Sequence, residues 1–145
     1  MSEANEGLGD VLNHITMLLG IVTREYGEPG ALSYSRMRLL GTLEEVQPAT
    51  QHELAQAMLV SDAAVSRMLS TLAADGLVSV EVDPDHARRR LVRLTPEGAE
   101  RFHASSTDYA AQLEKALTDR GFPYEQYLQD SKVLRDILAT AAGRG

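Results

Sequence analysis

The sequence contains no cysteine, which excludes a disulfide framework, a thiol redox switch and any cysteine-ligated zinc site. Tryptophan is also missing, and aromatic residues make up only 5% of the chain. A core therefore has to be built from Leu, Val, Ile, Met and Ala. The 43% hydrophobic content allows this over 145 residues, a length that suits one domain, or a small domain plus dimerisation helices. The N-terminus has no basic segment followed by an apolar stretch, so no signal peptide is read. No apolar run approaches the roughly 18 residues of a bilayer span, so a soluble, cytoplasmic protein without a membrane partner is expected. His14, His52, His86 and His103 show neither H-x-x-x-H nor H-E-x-x-H spacing, and surface or hydrogen-bonded roles explain them better than zinc. There is no phosphate loop and no nucleophile–base pair, so neither an enzyme, a cofactor nor a metal is expected.

Positive charge is scarce as well. Lys and Arg total 14 against 21 acids, for a net charge of −7. A nucleic-acid partner needs only local positive potential, however, and the charge here is segregated. Arg88, Arg89, Arg90 and Arg93 fall within six residues, with no acid between them.

Helical periodicity opens the chain. Leu8, Val11, Leu12, Ile15, Leu18, Leu19, Val22 and Tyr26 form a wide apolar face, ended by Gly27, Pro29 and Gly30. Ser33 can cap a second helix carrying Met37, Leu40 and Leu43, broken at Pro48. Thr50, with Glu53 three residues on, is a capping-box signature for a short helix carrying Leu54, Ala55 and Met58. Ser61 caps the next helix, with Asp62 in its first turn, Val65, Met68, Leu69 and Leu72 on one face, and Ser66, Arg67 and Ser70 on another. Gly76 ends it. Leu77–Val82 and Arg90–Leu94 read as strands, with Asp83, Pro84 and Asp85 opening the turn and His86–Arg89 as a basic linking tip. Thr95-Pro96-Glu97 starts a helix carrying Phe102, Tyr109 and Leu113, and a last helix begins at about Tyr124. The expected fold is mainly α with a small β-hairpin, in the order α-α-α-α-β-β-α-α.

Two short helices, Gln51–Ala57 and Asp62–Asp75, joined by a turn of about four residues, have helix-turn-helix arithmetic. A basic hairpin directly after them makes the unit a winged helix-turn-helix. A B-DNA major groove about 12 Å wide accepts one helix, and the second helix enters with its N-terminal turns toward base edges. The candidate contact residues are Ser61, Asp62, Ala63, Ala64, Ser66, Arg67 and Ser70. From the hairpin, His86, Arg88, Arg89 and Arg90 are candidates for an adjacent minor groove. Strand alternation leads us to expect two of the three arginines at DNA.

The stretch TQHELAQAMLVSDAAVSRMLSTLAADGLV and the wing DPDHARRRLVRLTPEG resemble the DNA-binding lobe of the MarR family. Arg88, Leu94, Thr95 and Gly98 match that family's wing pattern, and the flanking helices match in order. The pattern's Asp position is His86 here, so either Asp85 braces the wing arginine or His86 contacts phosphate itself. Leu59 stands where the turn often has Gly, so the turn must avoid positive φ or have shifted. Asp62 replaces a neutral or basic residue; it repels phosphate but can accept from cytosine N4.

The resemblance implies one domain over 1–145, with a winged lobe at 48–98 and dimerisation helices at 6–27 and 99–142. It implies a homodimeric, sequence-specific transcriptional repressor on a pseudo-palindromic operator in double-stranded DNA, released by a small-molecule effector, here a small aromatic acid. The effector cleft is expected from Met17, Ile21, Tyr34, Met37 and Arg38, with helix packing as the competing reading of these residues. The alternative function is a winged-helix protein–protein interaction module without a DNA role, which the net charge motivates and the clustered arginines oppose.

Overall fold

A computed structural model describes residues 3–25 and 32–143. Tyr26, expected on the apolar face of the first helix, Gly27, Pro29 and Gly30, expected to end it, and the side chain of Leu8 lie outside the described residues. The elements are α1 (Glu3–Glu25), α2 (Tyr34–Val46), α3 (Gln51–Met58), α4 (Asp62–Ala74), β1 (Val78–Asp83), β2 (His86–Leu94), α5 (Pro96–Thr118) and α6 (Tyr124–Ala141). None of these helices is long and apolar enough to cross a membrane. The chain divides into two units, Met1–Tyr109 and Ala110–Gly145.

In the first unit the starts of α2, α3, α4 and α5 each satisfy a free N–H group with a hydroxyl. Ser33 Oγ accepts from Arg36 N, and Ser61 Oγ accepts from Ala64 N. Thr50 and Glu53 form the reciprocal capping box. Thr95 works both ways: its Oγ1 accepts from Gly98 N at 3.0 Å and donates to Gly76 O at 2.7 Å. These caps orient α2, α3 and α4 so that Leu39, Leu40, Leu43, Leu54, Val65, Leu72 and Leu77 meet in one fully buried core. Each such side chain contributes about 1.5–3 kcal/mol of transfer free energy relative to exposure.

The antiparallel hairpin closes the core at its base, where Val78 pairs with Leu94 and Val80 with Val92. The link between α2 and α3 also joins β2. Ala49 exchanges backbone hydrogen bonds with Val92, and Gln47 Oε1 accepts from Leu94 N. Beyond Val80 the hairpin leaves the core, and Val80 and Val82 are exposed.

Three local features differ from the sequence reading. The turn between α3 and α4 neither avoids positive φ nor shifts: Leu59 adopts φ 56°, ψ 44°. The conformation persists because Leu59 N–H and Val60 N–H reach back to Gln56 O and Ala55 O, closing the helix end. His86–Arg89 is strand rather than linking tip, and the turn is Pro84-Asp85 alone. The hairpin also carries a bulge: the pair after Val82–Arg90 is Asp83–His86, so Ala87, Arg88 and Arg89 lie between without ladder partners.

The second unit holds the end of α5 and all of α6. Phe122 N–H bonds back to Leu117 O around Gly121, whose φ is +67°, and the Phe122 and Tyr127 rings lie 5.7 Å apart. No α6 residue is buried.

Two substitutions test this description. Leu59 is 68% exposed and packs little, so Leu59→Gly removes left-handed strain of about 1–2 kcal/mol and loses part of that to unfolded-chain entropy. A net gain of about 0.5–1 kcal/mol in denaturant unfolding is expected; destabilisation would contradict the turn geometry. A Cβ on Gly98 would fall 1.9 Å from Leu77 O, a backbone atom that cannot swing aside. Gly98→Ala should therefore cost at least the upper end of about 1–3 kcal/mol.

Candidate nucleic-acid interface

The N-terminal half of α4 presents small and polar side chains outward. Ser61, Asp62, Ala63, Arg67 and Ser70 are exposed, and Ala64 and Ser66 are partly so. Val65, Leu69 and Leu72 anchor the opposite face in the core, which fixes the helix's rotation. The absence of bulk at Ala63, Ala64 and Ser66 leaves the backbone approachable, while Arg67 supplies a planar set of donors.

Side chains tie this helix end to its neighbours. His52 Nδ1 on α3 faces the Asp62 carboxylate at 3.1 and 3.3 Å, and Gln51 Nε2 donates to Asp62 O. Asp62, read from sequence as an acid that repels phosphate or accepts from cytosine, thus has a hydrogen-bonding partner on α3. The adjacent residue, Glu53, reaches the other way and accepts from Arg89 Nη2 at 2.6 Å. Two consecutive residues of α3 therefore link the start of α4 to the bulge of the wing.

The wing arginines are not equivalent. Arg89 lies between two carboxylates, Glu53 and Asp83, with its Nε 3.8 Å from Asp83 Oδ2. Arg88 and Arg90 are exposed. Among the described residues neither of them, nor Arg67 or Arg93, makes an ion pair. Among the described residues the expected brace from Asp85 to Arg88 is not formed. Asp85 N–H donates to Asp83 Oδ1 within the turn, and His86 pairs with Asp83 in the ladder. Asp83 braces a wing arginine instead, and that arginine is Arg89. The bulge also breaks the strict alternation from which two outward arginines were expected.

A cleft of about 410 Å³ lies against α4, lined by Leu19 and Thr23 of α1, Tyr34 and Arg38 of α2, Met58 of α3 and Arg67 among others. Tyr34 and Arg38 are where the sequence reading put them. Met17, Ile21 and Met37 are not in the lining. Leu19 and Thr23, four residues apart, are the α1 positions facing the cleft. Met17 and Ile21 lie exposed on other faces of α1, and Met37 points into the core. One Arg38 nitrogen is already committed, donating to Met58 O at 2.6 Å, where it satisfies an end carbonyl of α3.

Comparison with known proteins gives a consistent result. A family model described as MarR family matches residues 32–89. An uncharacterised HTH-type transcriptional regulator of Bacillus subtilis, YdgJ, is 31% identical over 108 residues. The match takes in 74% of this chain, which spans 62% of that relative's length. Among solved structures, a MarR variant from E. coli complexed with operator DNA superposes with a TM-score of 0.77 at 23% identity, over 95% of this chain and 99% of that one. The PcaV transcriptional regulator of Streptomyces coelicolor, in complex with its natural ligand, gives 0.75 at 17% identity over 97% and 98%. BpsR of Bordetella bronchiseptica, described with a mechanism for regulation of its DNA binding by 6-hydroxynicotinic acid, gives 0.74 at 21% over 90% and 98%. The capped helix-turn-helix and the hairpin that follows it have the winged helix-turn-helix fold of these solved structures, and over residues 32–89 the chain matches the MarR family.

Proposed function

We propose that this protein is a sequence-specific repressor of transcription that binds double-stranded DNA as a homodimer at a pseudo-palindromic operator and is released by a small aromatic acid. The observation that carries the reading is the continuity of one surface. The exposed start of α4 and the arginine-bearing bulge of β2 are joined through His52 and Glu53 of α3. A helix of this exposure pattern suits a major groove, and arginines on a projecting hairpin suit the negative potential of an adjacent minor groove. Arg67 is the base-reading candidate and Arg88 the backbone or minor-groove candidate.

Homodimerisation is supported by apolar surface that one chain leaves uncovered. On α1, Val11, Leu12, Ile15, Met17, Leu18, Leu19 and Ile21 are each 41–54% exposed. On α6, Tyr127, Leu128, Val133, Ile137 and Leu138 are exposed too. Such faces exceed what scattered surface apolar residues explain and suit burial against a second copy. Two copies then present two recognition helices to half-sites about one helical turn apart.

Release by an aromatic acid is supported by the cleft against α4. Its apolar walls suit a ring, and Tyr34, Arg38 and Arg67 suit a carboxylate. The similar BpsR structure is described with regulation of DNA binding by 6-hydroxynicotinic acid, and the PcaV structure in complex with its natural ligand.

Three outcomes are expected. Light scattering at micromolar concentration should give a dimer; a monomer would end the homodimer reading. With an operator selected from a random DNA pool, Arg67→Ala should cost roughly 1–3 kcal/mol at that site and flatten specificity. Arg88→Ala should instead weaken all duplexes and reduce the salt slope by about one; equal losses on cognate and random DNA from Arg67→Ala would contradict its assignment. Salicylate-like acids should weaken operator binding by about 5–150-fold. Thr23→Trp, which fills the cleft, should abolish that response while leaving ligand-free affinity intact.

A further inference from the structure

We infer that Glu53 is a positioning residue for the wing: it clamps Arg89, so that Arg89 fixes the hairpin bulge while Arg88 and Arg90 are left to meet DNA. The inference rests on the DNA-binding reading above for its consequence and on geometry alone for the clamp.

The carboxylate of Glu53 divides its work between two segments. Its Oε2 accepts from Thr50 N at 3.2 Å, completing the capping box, and its Oε1 accepts from Arg89 Nη2 at 2.6 Å. Arg89 in turn directs its Nε toward Asp83 Oδ2, and the other oxygen of Asp83 accepts the Asp85 N–H of the turn at 2.9 Å. The Asp83 side chain is only 13% exposed, so this carboxylate is held in place. A continuous path therefore runs from the first turn of α3, through one guanidinium, to the tip of the hairpin.

The bulge is where such a path is needed. Ala87, Arg88 and Arg89 have no partners in the ladder, so register does not fix them, and the hairpin there has already left the core. Without a tether, three consecutive residues would each retain backbone freedom that DNA binding has to remove. Each ion pair is part-exposed and weak by itself, but together they join segments 36 residues apart in sequence. Drawing Arg89 onto a phosphate would strand Glu53 and Asp83 beside a polyanion. Arg88 and Arg90 carry no such penalty, since neither makes an ion pair among the described residues.

Glu53→Gln isolates the clamp, because Gln also serves at this position of a capping box. The first readout is amide hydrogen exchange of the paired residues that flank the bulge, Glu81–Asp83 and Arg90–Val92, in DNA-free protein. Glu53→Gln and Arg89→Gln should each speed exchange there by about three- to tenfold, and Arg89→Lys should restore much of the protection. The second readout is duplex binding against salt. The two Gln variants should each weaken binding by about three- to tenfold with an unchanged salt slope, and the double variant should be no weaker than either alone. Unchanged exchange in both variants would overturn the clamp. So would a salt slope reduced by about one in Arg89→Gln together with tighter binding by Glu53→Gln, which would make Arg89 itself a phosphate contact. Faster exchange in variants of a chain that binds no duplex would overturn the DNA-binding reading and leave the clamp standing.

Discussion

The five residues from Ala49 to Glu53 carry the constraint on which the rest of the winged lobe depends. Ala49 is bonded to Val92 of β2, which ties the hairpin's base to the helices. Thr50 and Glu53 close the capping box that starts α3. His52 faces Asp62 at the head of α4, and Glu53 holds Arg89 in the wing. One turn of helix thus sets the spacing between the two elements that the proposed function assigns to neighbouring grooves. The individual contacts are worth little apiece, and their value lies in converging on one short, capped segment.

That geometry also reconciles a net charge of −7 with a polyanionic partner. Near the proposed interface Arg89 pairs with both Glu53 and Asp83, and the Asp62 carboxylate faces the His52 ring. Arg67, Arg88, Arg90 and Arg93 make no ion pair among the described residues, so their charge is available at the surface. The whole-chain sum hides this division because it weighs distant acids equally with neighbouring ones.

What could be read from sequence was what local chemistry decides. Ser33, Thr50, Ser61 and Thr95 each satisfy backbone N–H groups within three residues, so their caps are visible in the one-dimensional text. The buried face of α4 follows likewise from 3.6-residue spacing. What escaped depends on partners remote in the chain. The bulge at Ala87–Arg89 exists only relative to β1, and the bridge from Ala49 to Val92 is a single pair with no strand signature. The orientation of α1 is of the same kind: Leu19 and Thr23 face the cleft in place of Met17 and Ile21, and a wide apolar face does not disclose which part of it does so. Gly98 was matched as a pattern residue, but its reason, the carbonyl of Leu77 in the space a Cβ would take, is three-dimensional. At Leu59 the sequence raised the right question, and a closed helix end rather than residue type answers it.

The proposed function requires this acidic chain to bind duplex DNA through a locally cationic surface. The most direct measurement is the affinity of the full chain for random-sequence duplex DNA across a series of salt concentrations. Measurable binding is expected at low salt, with log affinity falling linearly against log salt at a slope of about −0.9 for each phosphate neutralised. Absence of binding at the lowest salt, or an affinity indifferent to salt, would contradict the proposed function.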